Sequence, residues 1–470
     1  MKPAQIDPDP RMAQAEFHIG YIWVALVVAL FAGFAIGAHL TFVISYGFPL
    51  GKGFYSFIQA HGHVQLVGWA GLFIIGVSLH FIPRLASVPV SQPQGIRWVL
   101  WLMATGLFLR SVGHSVVPYL TESSLFVPFN WVVASSGFIE WCAVLLYLSL
   151  LIGTLRRVGD ITRRPALAPV RPYFGMMLAG WIVYATLNLL LLIHMALSQN
   201  VVVNQAWNEF AIQVFIGLVL LPVAFAFSLR MFPLYFRLAS LDWPVRGTAY
   251  AYLFSFCLQV VPTSPLILGL APQAFFYLSS LGMLLKGGVI LWFVWKLDLL
   301  THLREPWTAH RPVQPGPERR PTRPNMPDYG EFGRFERLVY AAYIWLVLGA
   351  SFDLVRGAAD LLGSPLPISN DAVRHIYLLG FVTHLIFGMS VRMIPGFLKK
   401  KQVASTQLVD ATFWLGNTAT VCRVLPLMLP SVVLETIPLS MMITQTAFAF
   451  SGITGLIAVF CLTKNLWKTV

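Results

Sequence analysis

The stretch HGHVQLVGWAGLFIIGVSLHFIPRL, residues 61–85, decides the fold class and points to the chemistry. It is apolar over more than the roughly 20 residues that a helix needs to cross a bilayer. It nevertheless contains His61, His63 and His80, and a polar group buried in an apolar environment costs free energy unless a partner binds it. The stretch therefore predicts a transmembrane helix whose histidines bind something.

The whole chain has the composition of a polytopic membrane protein. Of its 470 residues, 57% are apolar and 11% charged, and its mean hydropathy is +0.71, whereas soluble chains are about 25% charged. We predict an all-α protein with twelve transmembrane segments and little room for a soluble domain. The predicted segments are approximately 19–47, 55–82, 96–118, 129–155, 174–199, 207–233, 247–270, 273–300, 335–362, 372–396, 405–429 and 434–463.

The net charge of +13 does not indicate nucleic-acid binding, because the basic residues are sorted by loop. They concentrate in the even-numbered loops, as at Arg156, Arg157 and 399–401, and at the C-terminus. Basic residues mark cytoplasmic loops. We therefore expect both termini in the cytoplasm and the lipid bilayer of a bacterial inner membrane as the protein's surroundings. The four cysteines form no Cys-x-x-Cys pair, which argues against covalent haem and a thiolate zinc site.

Two stretches, 63–83 and 375–395, share the pattern His-x4-Gly-aromatic-x7-Gly-x6-Pro. A weaker third copy lies at 213–233, with Gln213 in the histidine position. The copies fall on the second, sixth and tenth segments, which predicts three four-helix repeats. The predicted units are an N-terminal cytoplasmic segment 1–18, repeats 19–155, 174–300 and 335–463, and a disordered Pro/Arg-rich cytoplasmic linker 301–334. Four pairs match at an offset of 312: His63 and His375, Gly68 and Gly380, Gly76 and Gly388, and Pro83 and Pro395.

Twelve helices in three arcs of four resemble the catalytic subunit of haem-copper oxidases, and residues 61–85 are similar to a histidine-bearing helix of that superfamily. With His-x-His at the start of the second segment, the chain resembles the NnrS family more closely. The resemblance implies a redox protein that holds haem b, with copper as a second metal. It also implies nitric oxide as a gaseous ligand and an electron donor that the sequence does not identify.

The chain departs from the oxygen reductases in its sixth and seventh segments. Where those enzymes carry a histidine and a His-His pair, the sixth segment offers Glu209 and Gln213, and the seventh has no histidine. A standard oxygen-reducing centre is therefore not expected. Two alternatives stay open: a divergent nitric oxide or oxygen reductase subunit, and a metal or haem transporter whose histidines bind cargo transiently.

Six histidines are predicted to share one layer near the periplasmic side. Because successive helical residues turn by about 100°, His61 and His63 point roughly 200° apart and serve two different sites. The repeat positions favour His63 and His375 as the axial ligands of one haem. His61 is then predicted to hold a second metal, with Glu209 nearby. The other three histidines in the layer, which are candidates to complete this second site, are His39, His114 and His194.

Several other residues are predicted to serve this layer. Arg110 and Arg423, buried cations at a similar depth, are expected to pair with haem propionates. Gly68 and Gly380 allow close approach of either a macrocycle or another helix, and both readings stay open. Lys286 is the most isolated ionisable group and is predicted to serve a proton path. Asp353, Arg356 and Asp360, which share a predicted helix, are expected to neutralise one another.

Overall fold

The computed structural model describes residues 17–158, 166–304, 330–429 and 438–470, and within these residues every regular element is helical. Long helices follow one another along the chain, several of them containing a short π-helical or 3₁₀ segment. Their bounds are α1 Gly20–Tyr46, α2 Gly51–Ala86, α3 Gly95–Tyr119, α4 Phe126–Arg156, α5 Arg171–Leu197, α6 Gln205–Tyr235, α7 Val245–Val260, α8 Pro272–Leu297, α9 Phe335–Leu361, α10 Asn370–Phe397, α11 Thr406–Met428 and α12 Pro438–Thr469.

Ten of these helices are long and apolar enough to cross a membrane. The other two, α7 and α11, do not meet that measure. The prediction of an all-α, multi-pass membrane protein is therefore confirmed in its coarse form. Segments 1–18 and 301–334 lie largely outside the described residues, so their predicted disorder and location stay predictions.

Three helices form the interior of the bundle. Over its most apolar window, α2 is 100% buried, α10 is 83% buried and α6 is 67% buried, against 33–50% for the other candidate spans. The remaining helices pack around them, mostly as chain neighbours: α3 on α4, α4 on α5, α7 on α8, α8 on α9 and α11 on α12. The last helix, α12, packs on the first, α1. The histidine-bearing helices α2 and α10 are thus the ones most shielded from lipid.

Each interior helix contains a π-helical segment, which adds a residue to the turn and is frequent at functional sites. In α2 it spans Val64–Gly71, and in α10 it spans Ile376–Thr383. These two segments differ by 312 residues, the offset already seen in the sequence. The third, Phe215–Leu220 in α6, lies in the weaker sequence copy. His63 and His375 therefore directly precede π-helical segments of the same length.

Candidate functional site: a cavity between the interior helices

A cavity of about 1180 Å³ opens at the end of the bundle where α2, α6 and α10 begin. Its volume exceeds the range of roughly 300–1,000 Å³ that is usual for small-molecule sites. Side chains from α1, α5, α11 and α12 complete its wall. Of the residues that the sequence predicted for function, it gathers five, one from each of five helices: His61, His194, Glu209, His375 and Arg423.

His61 and His375 reach this cavity with the same nitrogen free. Nδ1 of His61 lies 2.8 Å from the carbonyl oxygen of Gly33, and Nδ1 of His375 lies 2.8 Å from that of Asp371. Because a carbonyl oxygen only accepts, each Nδ1 must carry a proton, and in the neutral ring Nε2 then keeps its lone pair. A histidine that ligates a metal commonly has its other nitrogen held in this way. The two rings are close enough to interact electrostatically.

Charged groups of α10, α11 and α6 surround His375. Asp371 lies 3.3 Å from Nδ1 of His375 through Oδ1, and its Oδ2 accepts a 2.8 Å hydrogen bond from Nη2 of Arg423. Nη1 of Arg423 is buried and has no partner among the described residues. Arg374 pairs with Glu209 at 3.5 Å. The cavity therefore presents two guanidinium groups beside His375, which suits a ligand carrying carboxylates.

His63 faces a different part of the bundle. Its Nε2 lies 2.9 Å from Oε2 of Glu140 in α4, and its Nδ1 lies 3.1 Å from the hydroxyl of Tyr184 in α5. His63 does not line the cavity that contains His375. The structure thus separates the two histidines that the repeat pattern paired. Residues at equivalent positions of two helices face each helix's own neighbours, so His63 points at α4 and His375 lies beside α11.

The other predicted histidines do not gather around His61. His194 lies on the α5 wall of the cavity, whereas His39 is exposed and outside it, beside Phe57. His114 is fully buried in α3, within electrostatic range of Arg110 and His63. Within the described residues, no group of three or more His, Cys, Asp or Glu side chains could hold a metal ion. The structure therefore does not bring together the predicted second metal site.

Arg110 and Arg423, both predicted to pair with haem propionates, lie in different pockets. Arg423 lines the cavity, but Arg110 lines a separate pocket of about 10 Å³ beside His63 and Tyr184. That volume is close to the minimum for a single water molecule and is too small for a propionate. Arg110 is therefore not placed as predicted. Arg374, which the sequence analysis did not single out, lines the cavity beside Arg423.

Gly68 and Gly380 serve helix packing. A Cβ atom on Gly68 would lie 2.5 Å from Cγ1 of Val28 in α1, and one on Gly380 would lie 2.7 Å from Cγ of Trp345 in α9. Neither glycine lines the cavity. Of the two readings left open by the sequence, close approach of another helix is the one that these contacts support. The glycines on the cavity wall are Gly37, Gly62, Gly452 and Gly455.

Gly380→Ala is expected to lower stability by about 1–3 kcal/mol, the usual cost of overpacking a core, because the Trp345 ring must move. Gly175→Ala in α5 is the matched control, since nothing lies within 4 Å of the Cβ position of Gly175. The control should be neutral or slightly stabilising, because alanine favours helix. Thermal unfolding midpoints in detergent compare the two variants. Equal midpoints would contradict the packing role.

Lys286 is not isolated, so that part of its prediction is wrong, whereas its role in a proton path stays a prediction. Its Nζ lies 2.9 Å from Oδ2 of Asp353 in α9, which also accepts a 2.6 Å hydrogen bond from the hydroxyl of Tyr377 in α10. Arg356, expected to neutralise Asp353, instead donates from Nη2 to Oδ1 of Asn370 at 2.8 Å. A buried ion pair thus ties α8, α9 and α10 together, away from the cavity lining.

Asp371 and Arg374 are site residues that the sequence patterns did not single out, and His384 is a further histidine outside the cavity. Asp371 and Arg374 stand in the same helical turn as His375, and the i, i+4 spacing of Asp371 and His375 was the signal that could have found them. His384 is fully buried, donates from Nδ1 to the carbonyl of Leu379 at 2.9 Å, and has no partner for Nε2 among the described residues.

No protein-family model matches the chain, and no curated protein sequence matches it either.

Proposed function

We propose that this protein is a haem-binding redox protein of the membrane, of the NnrS kind, and that it handles nitric oxide. The observation that carries the proposal is the pair His61 and His375, which line one cavity, each with Nδ1 held by a backbone carbonyl. Haem iron takes histidine as an axial ligand. When bound, haem would supply one-electron chemistry and a place for a diatomic gas.

The surrounding side chains support the fit of haem rather than of a bare metal ion. Arg374 and Arg423 line the wall near His375, where they would pair with the two propionates. Gly37 lets the His61 ring lie against α1, because a Cβ there would approach Cε1 of His61 to 2.7 Å. Since the described residues contain no group of three metal-binding side chains, the proposal is for haem b and does not extend to copper.

We further propose twelve membrane crossings in three four-helix repeats, like the catalytic subunit of haem-copper oxidases. The π-helical segments at Val64–Gly71, Phe215–Leu220 and Ile376–Thr383 support the repeats, as does the burial of α2, α6 and α10. Within this arrangement α7 and α11 also cross the bilayer. Polar residues within them are compatible with helices that pack on protein inside a membrane.

The basic loops favour a bacterial cytoplasmic membrane with both termini inside. Reporter fusions at residues 160 and 320 are therefore expected to read as cytoplasmic, and a fusion at residue 200 as periplasmic. Alkaline phosphatase and a fluorescent protein are fused in parallel at each position. Because one reporter is active in the periplasm and the other in the cytoplasm, either location gives a positive signal in one of the two assays. A periplasmic reading at 320 would contradict the orientation, because it would reverse the sidedness of the cavity.

Nitric oxide binding tests the proposed function. Reduced wild-type protein is expected to bind nitric oxide with a shift of the Soret band. His61 must leave its ligand position before a gas can take it, so association should be at least about tenfold faster in His61→Ala. His39→Ala, at an exposed position outside the cavity, should bind at the wild-type rate. Stopped-flow absorbance gives the rates.

Three outcomes would count against the proposal. Reduced protein that does not respond to nitric oxide would contradict it directly. Sustained oxygen uptake with a quinol or cytochrome donor, lost in His61→Ala, would favour a reductase subunit. Protein that carries no haem when purified but takes up metal or haem into vesicles would favour a transporter.

A further inference from the structure

A buried hydrogen-bonded chain runs from α4 to α5 through His63. Glu140 and His63 side chains are only 5% and 4% exposed, and they meet at 2.9 Å. The other ring nitrogen of His63 lies 3.1 Å from the hydroxyl of Tyr184, which is also buried. Ionisable residues inside a membrane are expensive and usually functional. Neither Glu140 nor Tyr184 takes part in holding haem.

The Tyr184 end of this chain meets a pocket with room for one water. The pocket has a volume of about 10 Å³ and is lined by His63, Arg110 and Tyr184. Nε and Nη1 of Arg110, which is 2% exposed, have no partner among the described residues. A buried polar group without a partner usually marks a water or an ion that completes its hydrogen bonds. Here the space fits a water.

The same pocket adjoins the haem cavity. Gln59 of α2, and Asn208 and Ile212 of α6, line both spaces. The Gln59 amide is held at both its nitrogen and its oxygen by the backbone of Val203, so the Asn208 amide is the one that offers hydrogen-bonding groups between the two spaces. A water held by Arg110 would therefore stand between Tyr184 and the cavity.

We propose that Glu140 is a proton-exchanging carboxyl that serves the cavity through His63, Tyr184 and a water bound by Arg110. The proposal rests on the haem function above, because an electron that enters a buried site draws a proton with it. It assigns a proton-exchanging residue in addition to the histidines and arginines proposed to hold haem.

The transfer balances without any change in the charge of His63. Glu140 gives its proton to Nε2 of His63, and Nδ1 of His63 gives its proton to the oxygen of Tyr184. The Tyr184 hydroxyl proton then passes to the water. One O–H bond breaks at Glu140 and one forms at the water, so the imidazole only changes tautomer and no electron moves. The ionisable groups that face this chain are Arg110 and His114 of α3.

Infrared difference spectra of reduced minus oxidised protein test the proposal. Wild-type protein is expected to show a carboxyl C=O band that shifts in D₂O. The band should be lost in Glu140→Gln, moved in frequency in Glu140→Asp, and unchanged in Glu122→Gln, whose carboxylate pairs with Lys52 at the surface. Glu140→Asp keeps a carboxyl at this position, so its shifted band still tests the assignment if the Gln variant does not fold. A band that persists in Glu140→Gln would overturn the proposal.

The relay itself has a separate test. Tyr184→Phe removes the hydroxyl from the chain and is expected to slow the H/D exchange of the Glu140 band at least tenfold. Tyr147→Phe is the matched control, because Tyr147 is a buried tyrosine whose hydroxyl lies 2.8 Å from that of Ser78 instead. Exchange as fast in Tyr184→Phe as in wild type would overturn the relay.

Failure of this proposal and failure of the haem function are distinguishable. Protein without haem would refute the proposed function, and the carboxyl band would then be sought in spectra taken after a pH jump. A Glu140 band in that spectrum would support a proton-exchanging carboxyl, and its absence would overturn it. Protein that holds haem but shows no Glu140 band would overturn the relay alone.

Discussion

His61→Ala and His375→Ala are each expected to reduce the six-coordinate, low-spin haem signal of the purified protein to under about a tenth of wild type. Each variant removes one of the two histidines proposed to hold haem in the cavity, and loss of one axial ligand would leave the iron five-coordinate. Optical spectra of the oxidised and reduced protein report the coordination number. Haem content, measured after extraction, reports whether the group is retained.

Two histidine controls make this prediction specific. His63→Ala changes a histidine only two residues from His61, but His63 is held by Glu140 and Tyr184 outside the cavity, so it should keep the low-spin signal. His39→Ala should also leave it unchanged. Loss of the signal in His63→Ala, with retention in His61→Ala, would restore the pairing that the repeat pattern suggested and contradict the site described above.

Lys286→Met is expected to destabilise the protein by about 3–5 kcal/mol, because it leaves the Asp353 carboxylate buried without a counter-charge. Asp353 is 3% exposed and would keep only the Tyr377 hydroxyl as a partner. Adding Asp353→Asn to Lys286→Met should recover much of the loss, since the amide is neutral and still accepts from Tyr377.

Unfolding of the single and double variants in mixed detergent micelles closes a double-mutant cycle for this pair. The haem spectrum should change little in either variant, because neither residue lines the cavity. A cost below about 1 kcal/mol for Lys286→Met would show that the pair is solvated or dispensable. A lost haem signal in a variant of unchanged stability would instead bring Lys286 back into the site.

The helices were largely predictable from the sequence, because apolar runs of this length have few alternatives. The predicted segment 55–82 corresponds to α2, Gly51–Ala86, whose extra residues are less apolar and lie at the helix ends. The number of membrane crossings was harder to predict from the sequence. The helices α7 and α11 are not among the ten that are long and apolar enough to cross a membrane, although the sequence predicted a segment at each.

The site was predictable in its residues and not in its pairings. The repeat pattern picked out His63 and His375, which both directly precede π-helical segments at the same offset. It could not show that their side chains contact α4 in one case and lie beside α11 in the other. The Lys286–Asp353 pair was missed for a related reason. Spacing along one helix suggested Arg356 as the partner, but the nearer cation comes from another helix.

Electron paramagnetic resonance of the oxidised, wild-type protein tests the central claim most directly, because the signal of ferric haem depends on its axial ligands. The account predicts a low-spin ferric signal of bis-histidine type, present in His63→Ala and absent in His61→Ala and in His375→Ala. A protein that retains haem but gives only a high-spin signal, or a low-spin signal that survives in both His61→Ala and His375→Ala, would contradict it.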